Sequence, residues 1–118
     1  YVEISINQQH MWYYKNGKLV VETDVVTGNY GTNDTPKGAY SIIYKASPAT
    51  LMLNSHVTFW LPFTSDGCGI HDASWRASWE YGGTRYKGHG SHGCVNTPYN
   101  AAKKIYNNIS SGTRVVVY

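Results

Sequence analysis

The stretch His89-Gly90-Ser91-His92-Gly93-Cys94-Val95-Asn96 gathers the side chains of this sequence best suited to covalent chemistry. A cysteine set among small and polar residues, just before a helix, is poorly placed to be a core hydrophobe. Gly90 and Gly93 free the backbone for turns closed to other residues and let a substrate approach closely. Neighbouring histidines that hold positive charge favour thiolate over thiol. Backbone N–H groups around Gly93 and Cys94 are suited to facing an oxyanion formed by attack on a carbonyl. The competing reading is a structural cysteine, because free cysteine is commonly buried.

A thiol nucleophile needs a base, and five histidines are available: His10, His56, His71, His89 and His92. His71 follows Gly67-Cys68-Gly69-Ile70, a strand-like stretch whose glycines leave the ring open to a cleft. His92 is two residues from Cys94, and chain geometry favours its pointing elsewhere. His10 sits in an aromatic strand, where packing is the default. Spacing alone leaves His71 and His92 nearly level.

The elements that must hold these groups are mostly strands. Val2, Ile4 and Ile6 alternate with polar residues, the period of a half-buried strand. Residues 10–14 form a second strand, Asn16-Gly17 is a strong hairpin signal, and residues 19–27 return as a third. Residues 28–38 are a loop ending in Thr35-Pro36-Lys37-Gly38. Residues 39–44 are a strand, 46–55 a loop or excursion, and 57–63 an edge strand or pocket rim marked by Pro62. Residues 72–90 form a long loop rich in Trp, Tyr and Gly, a composition more often functional than structural. One helix is expected over about 97–109, with Thr97 as cap, Pro98 at the first position, and Ala102, Ile105, Tyr106 and Ile109 on one face. Residues 114–118 close as a strand. The fold class is mainly β, a sandwich or barrel-like arrangement with one main helix against the sheet.

Composition narrows the function. A chain of 118 residues with 42% hydrophobic content supports one domain, read as cut from a longer protein. No segment approaches the length of an apolar membrane span. Ten Lys and Arg residues are scattered, and a net charge of +3 without a basic stripe excludes a nucleic-acid role. A metalloenzyme built on His71, His89, His92 and Cys94 is disfavoured, because His89-x2-His92-x-Cys94 is too tight for a familiar zinc site and no second ligand pair accompanies it. A wall-binding module exploiting the aromatics would not need a Ser-His-Gly-Cys loop.

Taken together, Gly69-Ile70-His71-Asp72, a Trp- and Gly-rich insertion and Ser91-His92-Gly93-Cys94-Val95-Asn96 resemble the L,D-transpeptidase catalytic domain of the YkuD type. Residues 8–17 resemble that family's opening hairpin, Thr35-Pro36-Lys37-Gly38 its Thr-Pro-x-Gly turn, and Trp60-Leu61-Pro62 its cleft strand. The resemblance spans essentially the whole chain. It implies Cys94 as nucleophile and His71 as general base and acid, which decides against His92. Ser91, His92 and Gly93 then match motif positions that shape the site and its oxyanion hole. Trp60, Asn96, Trp75 and Tyr86 are the candidate substrate-binding residues. The loop between His71 and Ser91 is slightly longer than usual for the family. If His71 reaches Cys94, strand alternation turns Cys68 toward the core, unlinked to Cys94.

The resemblance further implies the reaction, which needs no metal or organic cofactor. Cys94 attacks the carbonyl of the third residue of a tetrapeptide donor stem, D-alanine leaves, and an amine of an acceptor stem takes the acyl group in a 3→3 cross-link. Partners would be those peptidoglycan stems, with carbapenem β-lactams as covalent ligands of a monomer. The expected location is extracytoplasmic, at the cell wall or periplasmic face, reached through anchoring or secretion segments outside this sequence. The alternative is a thiol carboxypeptidase or endopeptidase that uses the same pair with water as acceptor.

Overall fold

The computed structural model describes residues 1–51 and 54–118. Strands β1 (Val2–Ser5), β2 (His10–Lys15) and β3 (Lys18–Asp24) form the expected meander. Asn16 and Gly17 both adopt positive φ, 53° and 76°, the backbone that a tight hairpin with right-handed twist requires. Strand β4 (Gly38–Ser41) completes a five-stranded sheet with β10 (Arg114–Val117), in the order β3-β2-β1-β10-β4. Its centre is a parallel pair, Val2 opposite Val115 and Ile4 opposite Val117. The small hairpin of β5 (Ala49–Thr50) and β6 (His56–Val57) gives the excursion at 46–55 a regular part, while Met52 and Leu53 lie outside the described residues.

A second sheet carries the chemistry-bearing residues. It runs β7-β8-β9, with β7 (Trp60–Pro62) antiparallel to β8 (Gly69–Asp72) and β8 parallel to β9 (Val95–Thr97). Pro62 sits on the edge strand, where its missing N–H costs no ladder bond. Between β8 and β9 lies the aromatic loop, whose only helical pieces are a 3-10 turn at Ser78–Glu80 and a kinked turn, α1 (Tyr86–His89). Helix α2 (Tyr99–Asn108) packs against β3 and β8. It buries Ala102 and Ile105, and Ile109 follows at its C-terminal cap.

The helix start differs from expectation. Thr97 is the last residue of β9 and fully buried, with its hydroxyl donating to the Val95 carbonyl at 3.1 Å. Pro98 itself takes the cap position, so pairing with β8 claims the residue that local signals assign to the cap.

One core serves both sheets. Val2, Ile4, Met11 and Val115 from the large sheet join Ile70 and Val95 from the small one, and Ile105 from the helix, all sealed from solvent. Truncating such a residue, Ile105 to alanine for example, costs roughly 2–5 kcal/mol. The segment after β3 ties the sheets together. Val26 exchanges main-chain hydrogen bonds with Asn96, at 2.9 and 2.8 Å. Thr27 accepts from the Ser91 N–H at 3.0 Å, and Ser91 in turn accepts from Asn29 at 2.9 Å. The buried Gln9 amide fixes this segment from below, bonding Thr27 through both its oxygen and its nitrogen.

Candidate active site

Cys94 immediately precedes β9. In the parallel register Ile70 faces Val95 and His71 faces Asn96, so one step back sets Cys94 beside Gly69. Alternation places Gly69 and His71 on one face, and Cys94 and Asn96 on the same one. Both cysteines are free thiols. The Cys94 thiol lies 3.5 Å from the Gly67 carbonyl, its hydrogen-bond acceptor. Gly69 is required for space: a β-carbon there would stand 2.6 Å from the Leu61 carbonyl oxygen and 2.8 Å from the Trp60 ring.

The orientation of His71 is set by the main chain. Its Nδ1 donates to the Asp72 carbonyl at 2.7 Å. A carbonyl can only accept, so Nδ1 carries the proton and Nε2 of the neutral ring holds its lone pair. Trp60 and Trp75 flank the ring, with centroids 5.9 and 5.8 Å away. The Asp72 carboxylate is buried and accepts the N–H groups of Thr58 and Phe59, at 3.0 and 2.8 Å, which fastens β8 to the entry of β7.

Electrostatics correct one expectation. The sequence suggests a thiolate supported by charged histidines. In the structure burial pushes the Cys94 thiol up to about 11, against the pull of a Gly69 backbone hydrogen bond. Burial pushes His71 below its ordinary value, against the pull of the Asp72 hydrogen bond and charge. His92 is exposed on the loop. Both shifts favour a neutral thiol beside a neutral imidazole, the form in which a histidine can accept a proton.

Ser91 staples the loop: its hydroxyl donates to the Cys94 carbonyl and accepts the Gly93 N–H at 3.1 Å. The Gly93 N–H is thus engaged rather than aimed at a substrate. Gly93 contributes shape instead, at φ +129°, which L side chains rarely adopt. Beneath it lies Cys68, packed against the core yet half-exposed.

The candidate substrate contacts separate by burial. Trp75 is 56% exposed beside His71 and open to a ligand. Trp60 is buried under the same ring, with its indole N–H on the Tyr44 hydroxyl at 3.2 Å. Tyr86 is packed in the core with its edge toward Tyr30, and Asn96 is buried too, so neither offers surface to a ligand in this conformation. Sequence reasoning missed three residues that position the loop. Thr35 donates to the Gly93 carbonyl at 2.7 Å while accepting the Gly28 N–H at 2.9 Å. The Asn29 side chain takes the Gly90 N–H at 2.9 Å, and Arg76 reaches the His89 carbonyl. The Thr35-Pro36 turn is visible in the sequence, but nothing there marks Gly93 as its partner.

Comparison with known proteins places this arrangement. The family model for the L,D-transpeptidase catalytic domain, YkuD, matches residues 1–117. The chain belongs to that family. A crystal structure of a cysteine-to-serine mutant of an Enterococcus faecium L,D-transpeptidase is 42% identical with a TM-score of 0.93, covering 100% of this chain and 49% of that one. The E. faecium catalytic domain acylated by ertapenem, solved by NMR, is 40% identical at a TM-score of 0.83, over 100% of this chain and 95% of that one. An L,D-transpeptidase from Stackebrandtia nassauensis is 28% identical at 0.82, over 99% and 54%. The chain thus spans about half the length of the longer solved relatives. A search of curated proteins gave no match.

Proposed function

We propose that this domain is a cysteine acyltransferase that cross-links peptidoglycan stems, with Cys94 as nucleophile and His71 as general base and acid. The observation that carries the reading is the placement of a free thiol on the same strand face as an imidazole whose Nδ1 is tied to a carbonyl. Family membership and the ertapenem-acylated E. faecium domain support it.

His71 Nε2 takes the thiol proton as sulfur attacks the carbonyl carbon of the donor's third residue. The N–H groups of His92 and Cys94 have no protein acceptor among the described residues and are the donors for the oxyanion. Each such donor contributes about 3 kcal/mol in well-characterised sites. Collapse breaks the C–N bond, and His71 returns the proton to the departing amine of D-alanine, leaving a thioester. The acceptor amine then attacks the thioester, gives up a proton through His71, and restores the thiol. Splitting the reaction this way lets one cysteine serve both halves. The setting is extracytoplasmic, on the wall, with the domain acting as a monomer and carbapenems as alternative acyl donors.

Incubation with a disaccharide-tetrapeptide, read by mass spectrometry beside Cys94→Ala, tests the reading. Loss of D-alanine with a cross-linked dimer supports it, and tripeptide alone indicates the hydrolase. Absence of any Cys94-dependent product sinks both.

A further inference from the structure

Arg76 stands near the start of the loop that separates His71 from Cys94 and touches both the loop's far end and the strand beyond it. Its Nη2 donates to the His89 carbonyl at 2.9 Å, at the far end of the loop. With the Asn96 amide turned so that its oxygen meets the guanidinium, that oxygen accepts from Arg76 Nε at 2.9 Å and Nη2 at 3.2 Å. Asn96 is buried, faces His71 across β8–β9, and is fixed by main-chain bonds to Val26. None of the ion pairs among the described residues involves Arg76. Glu80, the acid with the largest electrostatic influence on Arg76, spends Oε1 on the Ala77 N–H at 3.0 Å. A half-buried guanidinium held by neutral oxygens is a geometric device: the planar fork addresses two acceptors in fixed directions, which a lysine ammonium does not reproduce.

We propose that Arg76 is a positioning residue that clamps the loop of residues 73–90 over the cleft by joining its far end, at His89, to Asn96 beside His71. The consequence for reaction rests on the transpeptidase reading above; the clamp itself does not. With the clamp in place, Trp75 and the Ser91–Cys94 turn keep a fixed relation to the His71 ring, and a bulky acyl donor meets a preformed cleft. Without it, the loop remains attached at Gly82 and Tyr86 through main-chain bonds and at Gly88 and Gly90 through the Asn29 side chain, but the His89 carbonyl loses its tie to Asn96.

Hydrogen–deuterium exchange and thiol kinetics on the wild type, Arg76→Met and Arg76→Lys test this. Amides of residues 87–92 are expected to exchange about tenfold faster in Arg76→Met, with β1 and β10 unaffected. Ertapenem acylation of Cys94 is expected to slow roughly tenfold, while alkylation by the small reagent iodoacetamide is not slowed. Arg76→Lys should restore neither. Unchanged loop protection overturns the clamp, as does full rescue by lysine. An equal loss with both reagents reduces Arg76 to a general structural residue and also overturns it. A wild type that ertapenem cannot acylate defeats the transpeptidase reading instead, and the exchange data still decide the clamp.

Discussion

The Asp72 carbonyl, one residue beyond His71, accepts the His71 Nδ1 N–H at 2.7 Å, so the tautomer of this imidazole is fixed by backbone rather than by a carboxylate. A main-chain acceptor carries no formal charge and cannot itself titrate. Burial lowers the basicity of His71, and the Asp72 hydrogen bond and charge offset that only in part.

The sign of that shift predicts a pH profile. With His71 as the proposed base, which works only when neutral, ertapenem acylation should hold steady through neutrality and fall only at pH values below 6.5, the ordinary histidine value. The folded state also binds this proton less readily than the unfolded chain, so stability contributed by His71 is present above 6.5 and is lost as pH falls below it. Cys94 shifts the other way. In His71→Gln, alkylation by iodoacetamide should climb about tenfold per pH unit toward 11. A plateau near pH 8 would show that the thiol is not held protonated.

The two thiols should behave differently. Cys94→Ala is expected to abolish the ertapenem adduct by mass spectrometry, whereas Cys68→Ala should still acquire one. Loss of the adduct in Cys68→Ala with an intact fold would mean that the second sulfur takes part in acylation.

Thr35 braces the loop through one hydroxyl that both donates and accepts. Thr35→Val keeps the shape and strands a carbonyl and an N–H in a buried place, a loss of about 1–3 kcal/mol. A lowered Tm with slower acylation is the expected pair of results. A variant as stable as the parent would show that water replaces the hydroxyl.

Gly93→Ala adds a methyl group at φ +129°, with Cys68 Sγ 3.2 Å away. Backbone strain of this kind is worth about 1–3 kcal/mol. The acylation rate should fall further than stability does, because the strain is centred on the residue before Cys94. The double variant Gly93→Ala/Cys68→Ala should recover the steric part only, and recovery of full activity would assign the whole effect to crowding.

What could be seen in the sequence was local. Alternation at Val2 and Ile4 and the Asn16–Gly17 turn report strands and a hairpin, because neighbours alone decide them. The Ser91–Asn96 motif is contiguous and equally visible. Thr97 was misassigned because a threonine before proline satisfies the signature of a cap, and only β8, arriving from elsewhere in the chain, converts it to strand. Thr35, Asn29 and Arg76 act on partners brought close by the fold, and nothing beside them in the sequence marks those partners. The burial that raises the Cys94 thiol is hidden from the sequence for a related reason, since it is a property of the assembled site.

The parallel pairing of β1 with β10 has a kinetic meaning as well. The middle of the large sheet joins one of the earliest strands of the sequence to one of its latest. During synthesis from the N-terminus, β1 can form its hairpin partnership with β2 at once, but its other edge stays open until Arg114–Val117 has emerged. Such long-range closure is slow, and an unpaired central strand is prone to pairing with other chains. Nascent domain should therefore be most vulnerable to aggregation while everything except β10 is already made.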